Sequence, residues 1–141
     1  MSVATILIVD DHPMMRTALR IALEDEGDLQ VVGEAGSIAG GKQQAVVLKP
    51  DLILLDLYMP DGSGLDLIQF RNETMPGTRI LVLTSSTNEK DIIAVMNARA
   101  ESYLVKDASP AHLLRAIRAV LTGATFLTPG ATDILLKQCH S

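Results

Sequence analysis

The 141-residue sequence is poor in aromatic side chains and contains a single cysteine. It has no tryptophan, two tyrosines and two phenylalanines, so a folded core has to be built from aliphatic side chains and methionine. Cys139 cannot form a disulfide within the chain and is typical of a reducing compartment. No apolar run approaches the roughly 18 residues that a membrane-spanning helix needs, and the first residues do not resemble a secretion signal. We therefore expect a cytoplasmic protein with no membrane contact.

Basic residues are also scarce. Twelve lysines and arginines stand against 17 acidic residues, giving a net charge of −5. Binding of DNA or RNA by this chain alone is not expected, because phosphate backbones require a basic surface. Hydrophobic residues make up 48% of the chain, which excludes a disordered protein, and the length fits one domain.

Short aliphatic runs alternate with amphipathic segments five times along the chain. The runs at 5–9, 29–35, 52–55, 80–83 and 103–105 predict strands, and helices are predicted over 13–26, 38–49, 65–73, 89–98 and 109–123. Most of these runs, 52–55 and 80–83 most clearly, are continuously apolar instead of alternating, which indicates strands covered on both faces. Alternating strands and helices predict a doubly wound α/β domain with a five-stranded parallel sheet.

Polar residues follow four of the predicted strands at the point where each strand ends. Asp10 and Asp11 follow the first strand, Asp56 the third, Thr84 the fourth and Lys106 the fifth. Ligands of open parallel sheets bind at this edge. Three carboxylates repel one another unless a cation neutralises them, and an all-oxygen ligand set favours Mg²⁺. A carboxylate beside Mg²⁺ is a suitable nucleophile for a phosphoryl group, so the pattern predicts phosphoryl chemistry.

Each of these residues also has a purely structural explanation when it is considered alone. The pair Asp10-Asp11 could cap the following helix, and Asp56 could be a turn aspartate. Thr84 could be a plain loop hydroxyl and Lys106 a solvated lysine, and His12 is expected to be an ordinary loop histidine. Their convergence on one edge of the sheet favours the functional interpretation.

Four segments carry a family resemblance: 8–13, 54–60 with Gly64, 83–85 and 103–107. Together they resemble the receiver domain of a bacterial two-component response regulator, and residues 10–13 and 106–110 resemble the NarL/LuxR type. The resemblance covers residues 5–123. It implies a flavodoxin-like fold whose parallel strands lie in the order 2-1-3-4-5.

The resemblance also implies a role for each polar residue. Asp56 would accept a phosphoryl group from a sensor histidine kinase. Because Tyr58 and Ser86 flank the site where an attacking water would approach, we expect them to tune the lifetime of the product. Asp11, Asp56 and the Tyr58 backbone carbonyl would bind Mg²⁺, with Asp10 acting through water. Thr84 and Tyr103 would form a switch pair. Lys106 would contact the acyl phosphate.

We expect residues 1–124 to form the receiver and 125–141 to be a linker or short helix leading to a helix-turn-helix output domain that this chain lacks. The chain is expected to be either an excised receiver or a natural stand-alone one, and we favour the excised form. On this interpretation it is a phosphorylation-dependent switch in transcription that meets DNA only through the missing domain. Phosphorylation would promote a homodimer through the first and fifth helices, with Met14, Leu114 or Arg118 exposed there.

Two segments depart from the family pattern. Residues 99–102 replace a turn that usually contains glycine, which puts the surface of the fourth helix and fifth strand in doubt, and residues 36–41 predict an irregular second helix. A haloacid-dehalogenase-type phosphatase is one rival, but its nucleophile would follow the first strand in an Asp-x-Asp pattern. An interaction module that works without phosphorylation is the other, and the complete set of pocket residues argues against it.

Overall fold

The computed structural model describes residues 3–123 and the backbone of 126–127. Within that range no helix combines the length and the apolar character needed to cross a bilayer. The predicted helix bounds agree with the observed ones to within two residues. The elements in chain order are β1 (Ala4–Val9), α1 (Pro13–Glu24), β2 (Leu29–Ala35), α2 (Ile38–Leu48), β3 (Leu52–Leu55), β4 (Tyr58–Met59), β5 (Gly62–Ser63), α3 (Gly64–Thr74), β6 (Arg79–Thr84), α4 (Glu89–Asn97), β7 (Ser102–Val105), α5 (Pro110–Leu121) and β8 (Phe126–Leu127).

The main sheet is parallel, with the strand order β2-β1-β3-β6-β7-β8. Its first five strands are the predicted ones in the predicted order, so the doubly wound fold is confirmed. The additional strand β8 lies beside β7 and falls in the segment 125–141, for which the sequence predicted a linker or a helix. Two residues are too few for a strand periodicity to be visible. Residues 128–141 lie outside the described range, so the predicted short helix there stays a prediction.

Side chains of the central strands point alternately into two separate cores. Leu7 and Val9 of β1 belong to the core that α2, α3 and α4 cover. Ile6 and Ile8 belong to the core that α1 and α5 cover on the opposite face. This arrangement explains why residues 6–9 of β1 and all four residues of β3 are aliphatic, since both faces of these strands are buried.

The second helix is regular in spite of its glycine-rich start. The Asp61 carboxylate accepts hydrogen bonds from the backbone amides of Ile38 and Ala39 at 2.8 and 3.0 Å, which caps the N-terminus of α2. A Cβ on Gly41 would lie 3.1 Å from Cγ2 of Val9, so glycine lets α2 pack closely on β1. The irregularity expected from residues 36–41 is therefore absent from α2.

The turn at 99–102 is held by a buried arginine. Arg71, whose side chain is 2% exposed, forms an ion pair with Glu101 and donates a hydrogen bond to the Arg99 carbonyl at 2.7 Å. The side-chain amide of Asn72 donates to the carbonyl of Ala98 at 2.8 Å. Arg99 adopts the left-handed conformation (φ 73°) that glycine usually occupies. These contacts anchor the C-terminal end of α4 to α3 and stabilise a turn without glycine.

Candidate functional site

Backbone hydrogen bonds extend the sheet ladder by one residue beyond three strands. The amide of Asp10 donates to Ala35, that of Asp56 to Val9, and that of Lys106 to Thr84, all with N–O distances of 2.8–3.0 Å. The sheet itself therefore fixes the backbone of three predicted site residues. Their side chains extend from one edge, as the strand order requires.

The three predicted carboxylates form one cluster. One ligand atom each from Asp10, Asp11, Asp56 and His12 lies within 4.8 Å of the others. Asp10 and Asp56 are 2% and 5% exposed. Neither carboxylate of the Asp10-Asp11 pair caps α1, because the N-cap residue is His12 and no side chain caps that helix. The helix-capping explanation of the acidic pair is therefore wrong.

Lys106 lies between two of the carboxylates. Its Nζ atom is 2.9 Å from Oδ2 of Asp10 and 3.0 Å from Oδ2 of Asp56. Burial disfavours the ammonium, but the hydrogen bonds to both carboxylates outweigh it and raise the pKa of Lys106 above its ordinary value. The side chain of Lys106 is 13% exposed and pairs with both carboxylates, so the solvated alternative considered for it is wrong.

His12 lies closer to the cluster than an ordinary loop histidine would. Its backbone amide donates to Oδ1 of Asp10 at 2.8 Å. Its Nδ1 atom is 3.0 Å from the same oxygen and 3.1 Å from Oδ1 of Asp11. The ring is nevertheless 65% exposed, so it lies at the rim of the pocket and leaves the interior to the carboxylates.

A second observation, besides the negative charge of the carboxylates, indicates that the cluster suits a hard divalent cation. Oδ1 of Asp11 is buried and, among the described residues, accepts no hydrogen bond, since Nδ1 of His12 lies 3.1 Å away but without hydrogen-bond geometry. A buried oxygen without a donor carries a free-energy cost that a bound cation would remove. The surrounding donors are carboxylate oxygens, which are the ligands that Mg²⁺ prefers. The residues present therefore suit such an ion.

Thr84 and Tyr103 lie beside the cluster, on neighbouring strands. Thr84 is buried, and its hydroxyl accepts a hydrogen bond from the amide of Ser86 at 3.4 Å. The ring of Tyr103 is fully buried, and its hydroxyl donates to the Ser86 carbonyl at 2.6 Å. In this structure the tyrosine ring occupies the interior, as simple packing of a tyrosine within a strand predicts.

Tyr58 follows Asp56 on the loop that leads to α3. Its backbone amide is 3.4 Å from Oδ1 of Asp56. Its side chain is exposed and donates a hydrogen bond to Oδ2 of Asp91, in the first turn of α4. Sequence reasoning missed Asp91 because 33 residues separate the partners, and an acidic residue in a first helical turn has an ordinary explanation.

The loop after β3 closes tightly against the site. It contains the short antiparallel hairpin of β4 and β5, which the sequence did not predict because each strand has two residues. The amide of Gly64 donates to the carbonyl of Leu57 at 2.6 Å. A Cβ on Gly64 would lie 3.0 Å from the carbonyl oxygen of Asp56. Glycine therefore allows α3 to begin directly against the backbone of the central carboxylate.

Comparison with known proteins agrees with this geometry. The family model of the response regulator receiver domain matches residues 6–118. The nitrate/nitrite response regulator protein NarL of Escherichia coli (strain K12) is 39% identical over 138 residues, covering 98% of this chain. The chain spans 64% of the length of that relative.

Solved structures give the same result. A LuxR-family two-component response regulator from Aurantimonas sp. SI85-9A1 superposes with a TM-score of 0.91 at 27% identity, covering 99% of this chain and all of the other. A structure of two RcsB dimers bound to two parallel DNAs gives a TM-score of 0.88 at 28% identity, over 96% of this chain and 69% of the other. Nothing in these similarities supports the phosphatase alternative. The buried carboxylates, the bridging lysine, the sheet order and the match over 6–118 lead to one conclusion: the chain belongs to the response regulator receiver domain family, with relatives of the NarL/LuxR type.

Proposed function

We propose that this chain is a phosphorylation-dependent switch whose phosphoacceptor is Asp56, loaded by a sensor histidine kinase. The observation that carries the proposal is the position of its carboxylate. It is 5% exposed, lies at the end of the central strand β3, and shares the Lys106 ammonium with Asp10. Receiver domains are signalling domains, so the reaction modifies the protein itself.

In the proposed reaction, an Asp56 carboxylate oxygen attacks the phosphorus atom of the donor. A phosphorus–oxygen bond to Asp56 forms as the bond between phosphorus and the kinase imidazole nitrogen breaks, and that nitrogen keeps the electron pair. Lys106, now beside Asp56, is placed to neutralise charge on the transferred group, and the hydroxyl of Thr84 to donate to one of its oxygens. Positioning and charge neutralisation supply most of the catalysis in such transfers.

A Mg²⁺ ion fits this proposal as the resident cation. Asp11, Asp56 and the Tyr58 backbone carbonyl would hold it, with Asp10 acting through a water molecule. When bound, the ion would offset the repulsion between the carboxylates and an incoming phosphoryl group. The buried Oδ1 of Asp11, which accepts no hydrogen bond from the residues that the structure describes, supports the role of Asp11 as a direct ligand.

The output of the switch is proposed to be self-association and control of transcription through a helix-turn-helix domain. The RcsB relative is described as a dimer on DNA.

On α1, Met14 and Ile21 are 86% and 67% exposed. The two other residues expected at the interface are engaged within the chain, because Leu114 packs on the core and Arg118 pairs with Glu26 and Asp28. We therefore assign the dimer face to the apolar strip of α1.

Incubation with acetyl phosphate and Mg²⁺ tests the phosphoacceptor directly. Intact-mass measurement should show one added phosphoryl group per chain, which EDTA prevents. Asp56→Asn should abolish labelling, whereas Asp66→Asn, an equal charge change at an exposed helical position, should leave it intact. Labelling that persists in Asp56→Asn would show that another residue is the acceptor.

Sedimentation with and without beryllofluoride, a mimic of the acyl phosphate, tests the dimer. Saturation of the wild type should increase self-association, and Met14→Glu should suppress the increase. Equal monomer–dimer equilibria in both conditions would remove phosphorylation-driven dimerisation from the proposal.

A further inference from the structure

One carboxylate oxygen on α4 binds two hydroxyl groups that come from the loops beside the acidic pocket. Oδ2 of Asp91 accepts a hydrogen bond from the Tyr58 hydroxyl at 2.5 Å and another from the Ser86 hydroxyl at 2.6 Å. We name the three residues Tyr58, Ser86 and Asp91 the Asp91 clasp. Hydrogen bonds to a charged acceptor are stronger than those between neutral groups, so the clasp is a definite connection between two loops and a helix.

The clasp lies directly next to the candidate phosphoacceptor. Tyr58 is two residues beyond Asp56, and Ser86 is two residues beyond Thr84. The strands that end before them, β3 and β6, are hydrogen-bonded neighbours in the sheet. Tyr58 is 57% exposed, whereas Asp56 is 5% exposed. The tyrosine therefore extends from the loop of Asp56 to α4 on the solvent side of the buried carboxylate.

Helix capping does not account for the orientation of Asp91. The N-cap residue of α4 is Asn88, whose side chain accepts a hydrogen bond from the amide of Lys90 at 2.9 Å. The carboxylate of Asp91 instead receives hydroxyl groups from outside the helix. Its specific contacts therefore serve the loops beside the pocket.

We propose that Asp91 is a positioning residue that holds Tyr58 over the pocket and so slows hydrolysis of the aspartyl phosphate. This inference rests on the proposed phosphorylation of Asp56. In hydrolysis, a water oxygen attacks phosphorus, the phosphorus–oxygen bond to Asp56 breaks, and the carboxylate keeps the electron pair while the water proton passes to phosphate or solvent. A ring held in place restricts the approach of that water, and a released ring admits it.

The test measures the loss of the phosphoryl group from Asp56 after acetyl phosphate is removed. Asp91→Ala removes the acceptor and should accelerate the loss about three- to tenfold, the range expected for one or two lost hydrogen bonds. Tyr58→Phe keeps the ring but not its hydroxyl and should also accelerate the loss of the phosphoryl group. Asp91→Asn retains an acceptor oxygen and should restore most of the wild-type lifetime.

Glu89→Ala is the matched control. Glu89 is an exposed acidic residue in the same first turn, and its side chain makes no hydrogen bond or ion pair within the part of the chain that the structure describes. This variant removes the same charge near the same helix end, so it reports any general effect on α4. Its phosphoryl lifetime should equal that of the wild type.

Iodide quenching of tyrosine fluorescence examines the clasp without phosphorylation. Tyr103 is fully buried, so the quenched signal reports Tyr58, and quenching should increase in Asp91→Ala but not in Glu89→Ala. The double variant Asp91→Ala with Tyr58→Phe should hydrolyse no faster than the faster single variant, because both changes break the same contact.

The outcomes separate the two proposals. If the wild type is labelled on Asp56 and Asp91→Ala shows a wild-type lifetime, or one changed no more than in Glu89→Ala, the positioning role is refuted and the phosphoacceptor stands. If Asp56 is not labelled in the wild type, the proposed function fails, and the lifetime inference fails with it.

Discussion

Replacement of Asp11 by asparagine should change the stability of this protein in opposite directions with and without Mg²⁺. One ligand atom of Asp11 lies within 4.8 Å of those of Asp10 and Asp56, and the ammonium of Lys106 bridges these two carboxylates. Without a divalent cation the variant loses a repelled charge and becomes more stable. With Mg²⁺ it lacks a ligand and gains less from the ion.

The magnitude follows from the spacing of the carboxylates. Two unit charges at the 4.8 Å limit of the cluster repel by about 3.5 kcal/mol at an effective dielectric constant near 20. Since the ammonium cancels one of the two repulsions and the Asp11 side chain is 28% exposed, the net relief should be about 1–2 kcal/mol. For a chain of this length that is an increase of about 3–6 °C in Tm.

Thermal melts in EDTA and in Mg²⁺ provide the assay. At an ion concentration of about 100 times the wild-type Kd, the wild type gains about 2.7 kcal/mol, whereas a variant with a hundredfold weaker site gains about 0.4 kcal/mol. The wild type should therefore melt below Asp11→Asn in EDTA and above it in Mg²⁺. Asp25→Asn, an equal charge change at the opposite end of α1, should keep the full response to Mg²⁺. A variant that melts lower in EDTA, or that responds fully to Mg²⁺, would refute the reasoning.

Two further predictions concern parts of the fold away from the pocket. Arg71→Met should lower the free energy of unfolding in urea by about 3 kcal/mol because it leaves Glu101 without its partner, while labelling of Asp56 continues; an unchanged urea midpoint would contradict this. Asp61 accepts hydrogen bonds from two α2 amides, which lower its carboxyl pKa, so its stabilisation should be present above about pH 4 and disappear as the pH falls further. Melting curves of the wild type and Asp61→Ala should therefore differ at pH 7 and converge in acid, and a constant difference would exclude the cap.

The fold was predictable because its local signals agree with one another. Aliphatic runs separated by helical periodicity predicted five strands and their helices. Pro13 and Gly27 are start and stop signals for the first helix. Elements of two residues, β4, β5 and β8, have no period that could reveal them. The carboxylates and Lys106 were predictable because strand ends in a parallel sheet meet at one edge.

Contacts between distant side chains were not predictable in the same way. Arg71 did leave a signal, because a charged residue follows Leu67 and Ile68 at core-facing helical spacing and such a residue needs a partner. The sequence could not identify Glu101 as that partner, since it lies 30 residues further on in a turn that departs from the family pattern. Asp91 left no signal, because its spacing from Tyr58 and Ser86 gains meaning only after α4 is placed.

The attachment of α4 at its two ends has a mechanical consequence. Its C-terminal end is fixed to α3, through the hydrogen bonds that Arg71 and Asn72 donate to the carbonyls of Arg99 and Ala98. Its first turn is attached to the pocket loops through the side chain of Asp91. Because α4 is held near Ala98, a displacement that begins at Asp91 should decrease along the nine residues of the helix. Binding of a partner to the first turn of α4 should therefore depend on changes in the pocket, whereas binding near Asn97 should not.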